Sequence, residues 1–163
     1  MLKMICFDLD GSLVDLYGYE GWLDCLHNND PSPYRYALPL WNMRRLASIL
    51  QDFQREGIEI CIITWLAKES DRNFSAITRK AKRDWLNSYG IPYDHFHGRA
   101  YGATKADSVR KYLASNETAL IIDDNPQVRK GWHLGPTIDP TSQDVLEELE
   151  KILQEIRSNP LTN

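Results

Sequence analysis

Four acids, one hydroxyl and one lysine stand where this chain could do chemistry. Asp8 and Asp10 lie two residues apart in Met4-Ile5-Cys6-Phe7-Asp8-Leu9-Asp10-Gly11-Ser12, and Asp123 and Asp124 are adjacent in Ile121-Ile122-Asp123-Asp124-Asn125-Pro126. Each pair follows an apolar run. Like charges crowded at the end of an apolar strand require a cation or a shared proton. Carboxylates from two separate strands form an oxygen-only site, and with no His or Cys cluster to compete the fitting cation is Mg²⁺. Thr64 stands near the end of a second apolar run, and Lys105 at the start of a later helix. A metal, an ammonium and a hydroxyl together suit a phosphoryl group, whose charge the first two offset and to which the third donates. In that setting Asp8 is the candidate nucleophile on phosphorus. Asp10, beside the flexible Gly11, is the candidate acid that protonates the leaving oxygen and later deprotonates a water.

The elements that must position these groups alternate. Residues 4–7 read as a strand buried on both faces. Residues 13–40 are aromatic (Tyr17, Tyr19, Trp22, Tyr34, Tyr36) and rich in turn residues, with one short helix expected at 20–27. That is long for a loop and too aromatic for disorder, so it reads as a small insertion over the strand end. Residues 41–56 carry Leu46, Ile49, Leu50 and Phe53 at helical spacing and stop at Gly57. Residues 58–65 form a second strand. A helix over 71–89 follows, capped by Ser70 or Asp71 and stopped by Gly90 and Pro92. It is basic (Arg72, Arg79, Lys80, Lys82, Arg83) and reads as a solvated face before it reads as a binding patch. A weaker strand at 93–98 and a helix from Lys105 to Asn116 precede a clear strand at 118–122. Pro126 suits a first helical position, a short strand fits 136–138, and residues 142–157 form an acidic amphipathic helix. Strand alternating with helix predicts a parallel sheet with right-handed crossovers and helices on both faces. Function in such sheets collects at the carboxyl ends of strands near a switch point. The acid pairs and Thr64 fall at such ends, and Lys105 just after one.

With 163 residues, 42% hydrophobic and 26% charged, the chain fits one domain over 1–157 with a tail at 158–163. A net charge of −4 argues against a wholesale nucleic-acid coat. No apolar run approaches the ~20 residues of a membrane helix. Asp8 and Asp10 interrupt the first apolar stretch too early for a signal peptide, so a cytoplasmic protein is expected. Cys6, Cys25 and Cys61 have no metal spacing and read as thiols in a reducing compartment. The composition is compatible with a monomer.

The chain resembles the haloacid dehalogenase (HAD) superfamily of phosphohydrolases, of the small-cap type. Phe7-Asp8-Leu9-Asp10-Gly11-Ser12, Ile62-Ile63-Thr64, Lys105 and Ile121-Ile122-Asp123-Asp124 carry the resemblance, which covers residues 3 to about 140. It implies a Rossmann-like α/β three-layer sandwich with five parallel strands in the order 5-4-1-2-3. It implies a Mg²⁺-dependent phosphomonoesterase with Asp8 as nucleophile, Asp10 as acid/base, and Thr64, Lys105 and Ser12 toward the substrate. Mg²⁺ would be held by Asp8, the backbone carbonyl of Asp10, and Asp124 with Asp123 in support. Ser12 stands where the family usually has Thr and keeps the hydroxyl. Residues 13–40 would be the only cap, leaving an open site. Three substrates remain in play. Asp123–Val128 is similar to the motif of small protein serine phosphatases. Residues 104–109 with Asp123, Asp124 and Trp132 resemble the phosphatase half of viral polynucleotide kinase/phosphatases. An aromatic cap also suits a small nucleotide. A catalytically idle phosphate binder is the alternative of another class, and the intact Asp8/Asp10 pair counts against it.

Overall fold

The computed structural model describes residues 1–68 and 70–159. Five parallel strands form one sheet in the order β3-β2-β1-β4-β5, with β1 at Leu2–Phe7, β2 at Glu59–Trp65, β3 at His95–Arg99, β4 at Thr118–Ile122 and β5 at Thr137–Ile138. This is the expected 5-4-1-2-3 order, seen from the opposite edge.

The period-two alternation of side chains explains the layering. On one face Ile5, Phe7, Ile60, Ile62, Leu120 and Ile122 meet α3 (Met43–Arg55), α7 (Val145–Ser158) and Trp85 and Leu86 of α4 (Arg72–Ser88). On the other, Met4, Cys6, Cys61, Ile63, Ala119 and Ile121 meet Ala106 and Val109 of α5 (Ala106–Val109) and Trp132, which follows α6 (Pro126–Gly131). Leu50 and Phe53 are fully buried, and each contributes on the order of 2 kcal/mol by leaving water. Asn42, Asp71, Asn125 and Asp144 begin α3, α4, α6 and α7 with side-chain oxygens that accept backbone N–H groups. Pro126 is the first residue of α6, as its missing N–H favours.

Two helical segments depart from the sequence expectations. The insertion after β1 holds two short helices, α1 (Trp22–His27) and α2 (Ser32–Tyr36), rather than one. The Asp30 carboxylate accepts from the Ser32 amide at 2.9 Å and hydroxyl at 2.6 Å, and Pro33 falls in the first turn of α2, where no N–H is needed. The helix after Lys105 is also shorter than expected: α5 tightens into a 3₁₀ turn at Arg110–Tyr112 and stops before Asn116. The Ala114 amide is taken at 2.8 Å by the Glu117 carboxylate, which ends the helical ladder.

The two ends of the insertion are hydrogen-bonded to each other. Asp15 N donates to Leu38 O (2.8 Å) and Leu40 N to Leu13 O (2.9 Å). Leu16 and Tyr34 pack on Ala81 of α4, and Trp85 Nε1 donates to Ala37 O at 2.9 Å. Among the described residues no helix is long and apolar enough to cross a membrane. Cys6 and Cys61 are buried, and all three thiols are free. Residues 160–163, the end of the expected tail, lie outside the described residues, and Ser158 still belongs to α7.

Candidate active site

Because β1 and β4 are neighbours, the two acid pairs arrive side by side. The Asp8 amide donates to Ile122 O at 2.9 Å, extending the ladder past β1. The chain then turns at Gly11, with φ +80°. A Cβ there would lie 2.3 Å from Asp124 Oδ2 and 2.8 Å from Tyr17 Cε2. Only glycine permits both that backbone and that approach. Ser12 is fully buried, and its hydroxyl accepts from the Asp124 amide at 3.0 Å. Its carbonyl accepts from Trp41 Nε1 at 2.7 Å. Ser12, expected on the substrate side, thus ties the two acidic loops together and does not line the cavity.

Asp8, Asp123 and Asp124 each offer a carboxylate oxygen within 4.8 Å of the others. Buried Lys105 answers two of the three: its Nζ is 2.8 Å from Asp8 Oδ1 and 2.7 Å from Asp123 Oδ2. Burial works against the lysine's charge, but Asp8 and Asp123 outweigh it and raise its pKa. Asp123 also accepts from the Asn125 amide at 2.9 Å. Burial, then repulsion from Asp8, pushes Asp123 up to about 6 against the pull of Lys105. Asp124 has no ion pair among the described residues. Burial, with Asp8 and Asp123, pushes it up to about 7. The cluster therefore carries uncompensated negative charge on hard oxygens, the donor set that fits Mg²⁺. Asp8, Asp123 and Asp124 could hold such an ion together, with Lys105 already paired to Asp8 and Asp123.

A second buried cation adjoins the first group. Lys82 Nζ donates to Asp10 Oδ2 at 2.6 Å, to Thr64 Oγ1 at 2.7 Å and to Trp65 O at 3.0 Å. Burial, then Asp8, raises the Asp10 pKa while Lys82 opposes the shift. Thr64 is fully buried at the end of β2 and does not line the cavity. Lys82 corrects the reading of its helix as a solvated face. The signal was present: Phe74, Thr78, Ala81, Lys82, Trp85 and Leu86 recur at helical spacing and are the buried residues of α4. The other basic groups of this helix are partly engaged: Lys80 pairs with Asp84, and Arg83 lies over the Phe96 ring at 4.7 Å.

A cavity of about 860 Å³ opens over these groups, with Asp8, Asp10, Asp123, Asp124 and Lys105 in its lining. The insertion contributes Tyr17, Trp22 and Tyr34 to the lining, and the chain beyond β2 and β3 contributes Phe74 and Tyr101, with Trp65 at the end of β2. Tyr17 meets Trp22 edge-on at 5.2 Å between centroids, and Trp65 meets Tyr101 at 5.1 Å. Burial first, then nearby carboxylates, raises the pKa of both Tyr17 and Tyr34, which stay neutral phenols. Tyr36 is exposed and lies outside the cavity.

No protein-family model matches the sequence, and no curated protein sequence does. Solved structures do match in fold. A chain from the Pnkp1/Rnl/Hen1 RNA repair complex superposes with a TM-score of 0.58 at 18% identity, over 85% of this chain. This chain spans 42% of that one. A Mesorhizobium loti protein assigned as a HAD-like phosphatase superposes with a TM-score of 0.55 at 12% identity, over 95% of this chain and 87% of that one. At these identities the likeness is one of fold, and the chain has the parallel α/β fold of HAD-like proteins.

Proposed function

We propose that the protein is a phosphomonoester hydrolase that uses Mg²⁺ and works through an aspartyl phosphate on Asp8. One observation carries this reading: the buried Asp8 carboxylate, paired with Lys105, shares a cluster with Asp124, which has no ion pair among the described residues, and lines one cavity with Asp10. Bound at Asp8, Asp124 and the Asp10 carbonyl, Mg²⁺ would offset phosphoryl charge and hold the Asp8 oxygen for attack. An Asp8 oxygen bonds to phosphorus as the bond to the leaving oxygen breaks. Asp10, whose pKa burial and the nearby Asp8 raise, gives its proton to that oxygen. Asp10 then takes a proton from water as the water oxygen attacks phosphorus, the bond to Asp8 breaks and inorganic phosphate leaves. Lys105 offsets charge on Asp8 and the phosphoryl group, while Thr64, buried away from the cavity, holds Lys82 rather than the substrate.

The organic part of the substrate would occupy the aromatic-lined cavity, with residues 13–40 as a small cap. The cavity volume falls within the range of small-molecule sites. Its aromatic lining favours a nucleotide, free or at a nucleic-acid end, over a phosphoserine side chain. The fold shared with a chain of an RNA repair complex supports the same class.

The test is Mg²⁺-dependent release of phosphate from p-nitrophenyl phosphate, with EDTA as the control. Asp8→Asn is expected to lose at least ~10³-fold in rate with the fold intact. Retained activity in that variant refutes Asp8 as nucleophile, and no Mg²⁺-dependent turnover by the wild type on any phosphate ester refutes the reading. Comparing a 3′-phosphorylated oligonucleotide, a nucleoside monophosphate and a phosphoserine peptide assigns the substrate.

A further inference from the structure

Among the described residues, Lys82 is the buried charged side chain that the four sequence motifs leave unused. An ammonium has three N–H donors, and here all three are spent: on Asp10 Oδ2, Thr64 Oγ1 and Trp65 O. The Tyr34 ring, from the insertion, lies 4.6 Å from the same nitrogen. No donor is left for a substrate oxygen, so Lys82 is not a phosphate ligand. It is also a costly way to fill space. Its neighbours on the buried face of α4 are Phe74, Thr78, Ala81, Trp85 and Leu86. A methionine has nearly the same length and would avoid desolvating a charge. The acceptors come from two separate segments, the loop after β1 and the end of β2.

We propose that Lys82 is a positioning residue for phosphoryl transfer, one that fixes Asp10 and Thr64 in a single arrangement. This rests on the phosphatase reading above. The ion pair holds Asp10 by Oδ2 and leaves Oδ1 to exchange the proton with the leaving oxygen. Lys82 also donates into Thr64 Oγ1, so the single Thr64 proton must be directed elsewhere. Trp65 O, 3.3 Å from Oγ1, is that acceptor. Thus one ammonium fixes the acid that serves the leaving oxygen against the buried end of β2.

The test compares two esters with saturating Mg²⁺. 2,4-Dinitrophenyl phosphate releases a stable phenolate and needs no proton, whereas an alkyl phosphate does. Lys82→Met is expected to lose ~10²-fold in kcat/KM on the alkyl ester and under ~10-fold on the dinitrophenyl ester, since only the first depends on a positioned acid. Equal losses on both esters, or no loss, overturn the proposal, because a structural role would not discriminate leaving groups. Should Lys82→Met fail to fold, the double variant Lys82→Met/Asp10→Asn removes both charges together. Its activity is expected to match Asp10→Asn alone within ~3-fold, and a further loss of ~10-fold or more overturns the proposal. A wild type that hydrolyses neither ester removes the phosphatase reading and this inference with it. Turnover by the wild type with uniform losses in the variant removes this inference alone.

Discussion

The site holds two buried lysines, and they differ in how they are reached and in what they neutralise. Lys105 begins α5 just beyond a strand end and answers two carboxylates, Asp8 and Asp123. Lys82 projects from the middle of a seventeen-residue helix and answers one carboxylate, a hydroxyl and a carbonyl. All three acids line the cavity, but the Asp123 side chain is 0% and the Asp8 side chain 10% exposed, against 17% for Asp10. Water and protons can therefore reach the acid that Lys82 serves more readily than the acids Lys105 serves. The difference separates a lysine that holds a charge cluster together from one that aims its partners.

The sharpest way to break this comparison is to remove each charge in turn. Lys105→Met leaves two buried carboxylates facing each other, with an expected loss of ~10³-fold in kcat/KM on every ester regardless of leaving group. It should also destabilise the fold by roughly 3–5 kcal/mol, the cost of an uncompensated buried charge. Lys82→Met should cost about 1–3 kcal/mol, because Asp10 can take a proton from the cavity. Denaturant unfolding of both variants decides the order, and a larger cost at Lys82 would reverse the assignment. Next in size is Gly11→Ala. It forces a side chain against Asp124 and onto a left-handed backbone, and should lower kcat/KM by roughly 10²-fold through displacement of that acid. Mg²⁺ titration at pH 7.5 would show the affinity falling with it.

The acid cluster also predicts a pH dependence. Asp123 and Asp124 are raised to about 6 and about 7 in the folded protein, against roughly 3.9 when unfolded. Between those values the metal-free fold binds more protons than the unfolded chain. Its stability from these groups is full below about pH 4 and is lost as pH rises through about 7. Mg²⁺ should oppose that loss, raising Tm by about 5–10 °C at pH 7.5 and a hundredfold excess over Kd. At pH 5 protons compete for the same oxygens and the rise should be smaller. Thermal scans with Mg²⁺ and with EDTA at both pH values check the sign. The smallest effect is expected in the insertion: Trp22→Ala should raise KM for a nucleotide by roughly 5–20-fold, from loss of one stacking surface. Tyr36→Ala, outside the cavity, should leave KM unchanged.

Much of the fold was legible because its signals are local. Apolar runs of strand length separated by helical periodicity specify a parallel sheet with covered faces, and the acids after residues 7 and 122 mark its active edge. Turn chemistry within the insertion was harder to read, since Pro31-Ser32-Pro33 looks like a helix breaker until Pro33 is placed in the first turn of α2. Ser12 and Lys82 were harder still. Ser12 could not be assigned to the loop-to-loop bond with Asp124 without knowing that β1 and β4 are neighbours. Lys82 sits on the apolar stripe of its helix, a visible anomaly, but nothing local says which acid lies opposite.

By itself the sequence determined which groups could do chemistry: Asp8, Asp10, Thr64, Lys105, Asp123 and Asp124, through residue type and placement at the ends of apolar runs. Tertiary structure alone decided how those groups divide. It gave Asp8 and Asp123 to Lys105, left Asp124 without an ion pair among the described residues, turned Ser12 away from the cavity and brought Lys82 to Asp10 across seventy-two residues. The reason is physical. Propensity and periodicity act over a few residues, whereas a buried charge is neutralised by whichever partner the packing of distant segments delivers to it.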